Sequence, residues 1–212
     1  CLRADQKRPG LLYAGTEYGM YISYDGGTQW KSFQLNLPVV PVTDLTIKDN
    51  DLLVATQGRA FWAIDDLSVI QQKDESTAGK SWHVFTVSDA YRMEGGGRRA
   101  RSGIGTETPP NTGANPPNGT VINYYLKQAN DSTKFSITVF DKKNMPIRTF
   151  SKNAKEEADK IDFNSGMNQF VWDMNYPPAE KIDNMILWNG NVGTVKAAPG
   201  KYMARFRYGK DS

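Results

Sequence analysis

Two adjacent carboxylates, Asp65 and Asp66, are the first groups in this chain that invite a chemical reading. Glycoside hydrolysis uses two carboxylates, but they must stand about 5–5.5 Å or about 6.5–9.5 Å apart on opposing walls of a cleft. Neighbouring residues on a strand project to opposite faces, so Asp65 and Asp66 do not form that pair with each other. Arg59, in Gln57-Gly58-Arg59 between two apolar runs, is a candidate for binding an anionic ligand; a rim ion pair with a carboxylate is its plainer role. Trp62, Trp82, Trp172 and Trp188 offer stacking surfaces for sugars, set against the alternative of buried aromatics. Trp188, within Ile186-Leu187-Trp188-Asn189-Gly190-Asn191, has loop-like surroundings and is the candidate for an exposed ligand contact.

Other chemistries are excluded by what the chain lacks. His83 is its one histidine, and no nucleophile elbow surrounds a serine, so a Ser-His-Asp triad has no basis. With Cys1 the one cysteine, neither a His/Cys zinc site nor an internal disulfide can form, and no catalytic residue, metal or cofactor is expected. Gly95-Gly96-Gly97-Arg98-Arg99-Ala100-Arg101 lacks the G-K-[ST] and the strand-loop-helix setting of a phosphate loop, and reads as a basic linker. A net charge of +3, from 26 basic and 23 acidic residues, is not the footprint of a nucleic-acid partner. No apolar run reaches the ~18 residues of a transmembrane segment, and no signal peptide is visible. An N-terminal cysteine is where a mature bacterial lipoprotein carries its lipid; the plainer reading of Cys1 is a strand residue at the cut edge of a fragment.

These residues need elements to position them, and the clearest is a hairpin. Tyr21–Tyr24 is a β-prone run that stops at Asp25-Gly26-Gly27, where glycine enters positive φ without a Cβ clash. The Asp25 carboxylate can accept backbone N–H groups a few residues on and lock the turn. Trp30 opens the return strand with a large ring to bury. A repeat runs through this region: Leu11, Leu12, Ala14, Tyr21 and Asp25 match Leu52, Leu53, Ala55, Trp62 and Asp66, each pair 41 positions apart. A period of ~40–45 residues with several strands per repeat is that of a propeller blade. Strands are expected at 11–15, 20–24, 30–35, 42–47, 52–56 and 61–64, with no helix-period segment among them. Asp66 then caps a degenerate second copy of the Asp25 turn. Closed propellers need roughly four to eight blades, so two imply a larger protein or a second chain to complete them.

Residues 67–93 read as a connector, polar at Gln71–Ser76, with a short strand at Trp82–Val87 open to returning to the first region. Residues 94–118 are a Gly/Pro-rich linker. From 119 to 212 short strands are expected at 120–126, 134–140, 146–151, 169–173 and 202–208, with Phe135, Ile137 and Val139 on one face. That pattern suggests an Ig-like sandwich. Lys155–Lys160 is either one helical turn or a charged loop, and the sequons at Asn118 and Asn130 are of a kind frequent by chance.

The pattern Ser23-x-Asp25-x-Gly27-x-x-Trp30 resembles an Asp-box, the turn signature of sialidase-like and sortilin-like β-propellers. With LLVATQGRAFWAIDDL, NPPNGTVINYYL and GMNQFVWDM following in order, nearly the whole chain resembles bacterial sortilin-like, BNR-repeat proteins, often labelled glycosyl hydrolases. The resemblance implies an all-β chain: C-terminal blades of a propeller at 1–93, a linker, then an Ig-like sandwich. It also implies missing blades upstream and missing chain downstream, and secretion or attachment to a bacterial cell envelope. In those families the box (here Ser23, Asp25, Gly27 and Trp30) is architectural. The expected function is therefore non-catalytic binding of peptide, protein or glycan. The alternatives are a portion of a glycoside hydrolase whose acid and base lie on other blades, and an assembly module pairing through open strand edges.

Overall fold

The computed structural model describes residues 1–73, 77, 79–92, 117–129, 134–178 and 193–209. The chain is all-β, and its described residues form four small antiparallel sheets, with a short α-helix and a 3-10 turn beside them. It divides into two compact units, Cys1–Asp74 and Glu75–Ser212. Trp188, the arginines at 98, 99 and 101, the Asn130 sequon and all but residues 117 and 118 of the expected linker lie outside the described residues.

The first unit holds two sheets. One has the order β1 (Leu2–Ala4), β2 (Leu12–Thr16), β3 (Gly19–Ser23), β4 (Lys31–Ser32); the other has β5 (Val42–Lys48), β6 (Asp51–Thr56), β7 (Phe61–Ile64). Alternation turns Tyr13, Met20 and Ile22 from the first sheet and Leu45, Leu52 and Val54 from the second into one buried cluster with Leu11 and Leu67. The repeat seen in the sequence is a repeat of strands: shifting β1, β2 and β3 by 41 positions lands on β5, β6 and β7. Residues one repeat apart meet, with the Arg3 guanidinium 3.0 Å from the Asp44 carboxylate and the Cys1 thiol 3.8 Å from the Val42 carbonyl. Gly15 makes this approach possible, because a Cβ there would stand 2.4 Å from Val42 Cγ1.

Three expectations for this unit need correcting. The return strand expected at 30–35 shortens to β4, because the Gln34 side chain replaces its backbone. Phe33 N–H donates to Met20 O, but Gln34 Oε1 then accepts the Met20 N–H at 3.1 Å, and Leu35 turns away at φ 46°. Trp30 is not buried: it stays 39% exposed, its ring lying against Gly27. Gln71-Gln72, read as loop, closes α1 (Ser68–Gln72), which stands where the repeat would put a fourth strand. Leu67 N–H anchors its start by donating to Asn50 O at 2.8 Å. The strand β1 was not expected.

The second unit packs two three-stranded sheets against each other by their apolar faces. One has the order β12 (Gly166–Trp172), β9 (Thr120–Leu126), β8 (Trp82–Val84); the other has β11 (Pro146–Ser151), β10 (Phe135–Phe140), β13 (Met203–Tyr208). Phe135, Ile137 and Val139 share the buried face, as their alternation predicts, and Tyr124 of β9 stacks on Phe135 at 5.1 Å. The strand at 82–84 does not return to the first unit: it pairs antiparallel with β9, Trp82 opposite Leu126. Within 155–160 the chain forms a 3-10 turn, Glu157–Asp159, tied to β11 by the buried Arg148, whose Nε donates to Asp159 at 2.8 Å.

Candidate functional site

The turn after β3 uses every polar group that the sequence marked. Ser23, fully buried at the strand's end, donates from Oγ to Asp25 Oδ1 at 2.8 Å and accepts the Gly27 N–H at 2.9 Å. Asp25 Oδ1 also accepts the Gln29 N–H at 2.9 Å. That N–H, and then the Ser23 hydroxyl, hold the exposed Asp25 carboxyl below its ordinary pKa. Gly26 and Gly27 supply φ of 73° and 95°, and Gly26 N–H donates to Gly10 O at 2.8 Å, binding the turn to the loop before β2.

One repeat on, a similar backbone bond runs from Leu67 N–H to Asn50 O, its acceptor shifted by 40 positions where its donor shifts by 41. Asp65 and Asp66 lie beyond β7 rather than on it. Asp66, at φ 54°, accepts the Ser68 N–H at 3.0 Å and the Asn50 amide at 2.9 Å through Oδ1. The second turn is thus capped by the expected carboxylate with different partners, as a helix follows it instead of a strand.

Arg59 sits at the exposed tip of the β6–β7 turn, where its carbonyl accepts Trp62 Nε1–H at 2.9 Å. Among the described residues its guanidinium has no hydrogen-bond or ion-pair partner, so the rim ion pair is not formed there. Beside it Phe61 is 85% exposed. The position one repeat earlier is Tyr18, 73% exposed at the β2–β3 turn. Tyr18 was not picked out in the sequence, although the 41-residue offset from Arg59 points to it.

A second polar cluster went unnoticed because its members are distant in sequence. Asp5 is buried and accepts the Lys7 and Arg8 N–H groups at 2.8 Å, the Tyr13 hydroxyl at 3.2 Å and the Gln71 amide at 3.0 Å. Burial pushes its carboxyl up, but the Gln71 amide and the two N–H groups outweigh that, and the net shift is downward. Burial, and then the Asp5 charge, push the Tyr13 hydroxyl up. Arg8 caps the end of α1 by donating to the carbonyls of Ile70, Gln71 and Lys73, and lies 5.1 Å over the Tyr24 ring. The cluster fastens α1 to the β1–β2 loop, and its groups are occupied by one another.

In the second unit Trp172 is buried in the core and Trp82 is half-buried beside it, so neither is a free platform. Tyr202, just ahead of β13, donates from its hydroxyl to Ala198 O at 2.7 Å and edges onto Trp172 at 5.1 Å. Among the described residues no group of three or more His, Cys, Asp or Glu is placed to hold a metal ion. No helix among them is long and apolar enough to cross a membrane. No protein-family model, curated protein or solved structure matches this chain.

Proposed function

We propose that this chain is a non-catalytic binding and structural portion of a larger exported bacterial protein: two Asp-box propeller blades joined to an Ig-like sandwich. The single observation that carries the non-catalytic reading is the fate of Asp25 and Asp66. Each carboxylate accepts hydrogen bonds from its own turn through Oδ1, which supports a role in holding that turn. The blade reading is supported by the 41-residue repeat of strands and by Arg3–Asp44 and Cys1–Val42, pairs one repeat apart that touch. Repeats set around an axis bring like positions together in this way. The Ig-like reading is supported by the strand order, first-second-fifth against fourth-third-sixth. Tyr202 adds to it, since a tyrosine ahead of the sixth strand bonded to backbone four residues upstream is a tyrosine corner.

The ligand is a peptide, protein or glycan, met at the turn tips that carry Tyr18, Arg59 and Phe61, and further blades come from the parent or another chain. The test exposes the full chain to glycan and peptide arrays and to a panel of polysaccharides. Binding without turnover, weakened by Arg59→Ala, is the expected result. Turnover by this chain that disappears in Asp25→Asn or Asp66→Asn with the fold intact overturns the reading and favours the glycoside-hydrolase alternative.

A further inference from the structure

We infer that β7 is a self-complementary edge through which two copies of this chain join, strand against antiparallel strand. The inference does not rest on the propeller reading. β7 lies within the first unit, on the far side of its sheet from β5, the strand that meets β1. Among the described residues it pairs only with β6. The Thr56 N–H donates to Ala60 O at 3.2 Å. Alternation from that bond turns the peptide groups of Trp62 and Ile64 toward β6 and those of Phe61 and Ala63 away from it. Phe61-Trp62-Ala63-Ile64 carries neither a charge nor a proline, two of the devices that keep an edge strand from pairing.

The outward groups fix the register. A two-fold axis through Trp62 sets Phe61 of one copy opposite Ala63 of the other, each donating one hydrogen bond and accepting one. In that register Arg59 stands opposite Asp65 of the second copy. Both are exposed, and neither has an ion-pair partner among the described residues. Facing each other, they form cross-strand pairs at both ends of the contact. Phe61, 85% exposed, gains a small neighbour that leaves room for its ring. Sliding the strands by two residues either way sets Phe61 against Phe61 or Ala63 against Ala63, and both slips part Asp65 from Arg59. The chain's own segments suit this edge less well. α1 follows β7 but bonds to the β1–β2 loop, with Gln71 on Asp5 and Arg8 on Ile70 O. Residues 86–92 form no strand, and 94–118 are rich in proline and glycine. A strand from further chain of the parent competes for the same backbone groups. It has no need of the match between Arg59 and Asp65, which β7 supplies to itself.

Sedimentation equilibrium of the full chain should show monomer and dimer with a Kd between about 10 µM and about 1 mM, because a four-residue edge is far smaller than a standard interface. Arg59→Asp or Asp65→Arg alone sets like charges together and should weaken the dimer about tenfold or more. Mixing those two variants in equal amounts should restore it, since the two substitutions then face each other at one end and the native pair remains at the other. Ala63→Pro removes an outward N–H while leaving β6 its bonds, and should weaken the dimer as well. Hydrogen exchange on the unaltered chain supplies a readout independent of variant folding. The amides of Phe61 and Ala63 should slow as concentration rises, and those of Trp62 and Ile64 should not. A monomer at about 1 mM, a dimer indifferent to Ala63→Pro, or mixed variants that associate no better than either alone overturns the inference. So does slow exchange of Phe61 and Ala63 at every concentration, which would mean that a strand of this chain already covers them. None of these outcomes bears on turnover or on the ligand arrays, and Asp65→Arg leaves Arg59 in place, so the proposed function stands or falls separately.

Discussion

Replacing Ser23 with alanine should loosen the first unit more than its size suggests. The hydroxyl is fully buried, donates to Asp25 at 2.8 Å and accepts the Gly27 N–H at 2.9 Å. Alanine fills nearly the same volume, so packing is unchanged and the loss is polar. A net hydrogen bond contributes about 1 kcal/mol, and leaving a buried donor without an acceptor costs about 1–3 kcal/mol. The Gly27 N–H is half-buried, so water reaches it in part, and the sum settles near ~2 kcal/mol. That is about a thirtyfold increase in the open population. Hydrogen exchange with mass spectrometry reads it directly, since peptides covering β2 and β3 report on the first unit while those covering β9 and β12 serve as an internal control. A loss of protection below about threefold would refute the claim that the box holds the turn, as would an equal loss in both units. Asp25→Asn keeps an acceptor oxygen for Gln29 N–H and should be milder than Asp25→Ala in the same assay.

Gly15→Ala forces a methyl within 2.4 Å of Val42 Cγ1 and should cost about 1–3 kcal/mol by overpacking; Val42→Ala in the same chain should recover part of it in a urea titration. Tyr202→Phe removes the 2.7 Å bond to Ala198 O and should destabilise the second unit by about 1 kcal/mol, read from the fluorescence of the adjacent Trp172. The lowered pKa values of Asp5 and Asp25 mean that the folded state holds their charged forms more tightly than the unfolded state does. Their stabilisation is therefore complete above about pH 4 and lost as pH falls through the lowered values. Asp5→Asn should flatten the acid limb of the first unit's stability curve, and an acid limb identical to the unaltered chain's would refute the role given to Asp5.

What was legible in the sequence depended on range. Phe61–Ile64, Thr120–Leu126 and Pro146–Ser151 have the expected bounds, because local alternation between turn residues fixes a strand's ends. The Asp25 lock was legible for the same reason: its donors lie within four residues. The repeat extended that reach to Asp66. Contacts outside both local range and repeat were invisible. β1 is three residues long and fully exposed, so no apolar alternation marks it; it exists because Leu2–Ala4 pair with Leu12–Ala14. α1 has no buried residue and no acidic first turn, and its end is closed by Arg8, some 62 residues earlier. The short β4 was misjudged because Gln34, a side chain, stands in for the backbone of a partner strand.

The same contrast indicates where a ligand contact in the first unit should be sought. Ser23, Asp25, Asp66, Asp5 and Gln71 each serve a turn, a cap or a helix end, and a ligand that draws on them competes with the bonds that hold the fold. Desolvating such a carboxylate for a ligand would cost its present hydrogen bonds as well as its hydration. Tyr18, Arg59 and Phe61 carry no such cost. They stand exposed at β2–β3 and β6–β7, repeat-equivalent turns on one unit, and loops on a rigid scaffold are where binding residues concentrate. An aromatic and a guanidinium that has no partner among the described residues also make a recognisable pair of contacts, the one stacking on a sugar or peptide face and the other meeting an anion. Binding that survives Asp25→Asn but falls with Tyr18→Ala and Arg59→Ala would follow from this division. The opposite pattern would mean that the box itself meets the ligand.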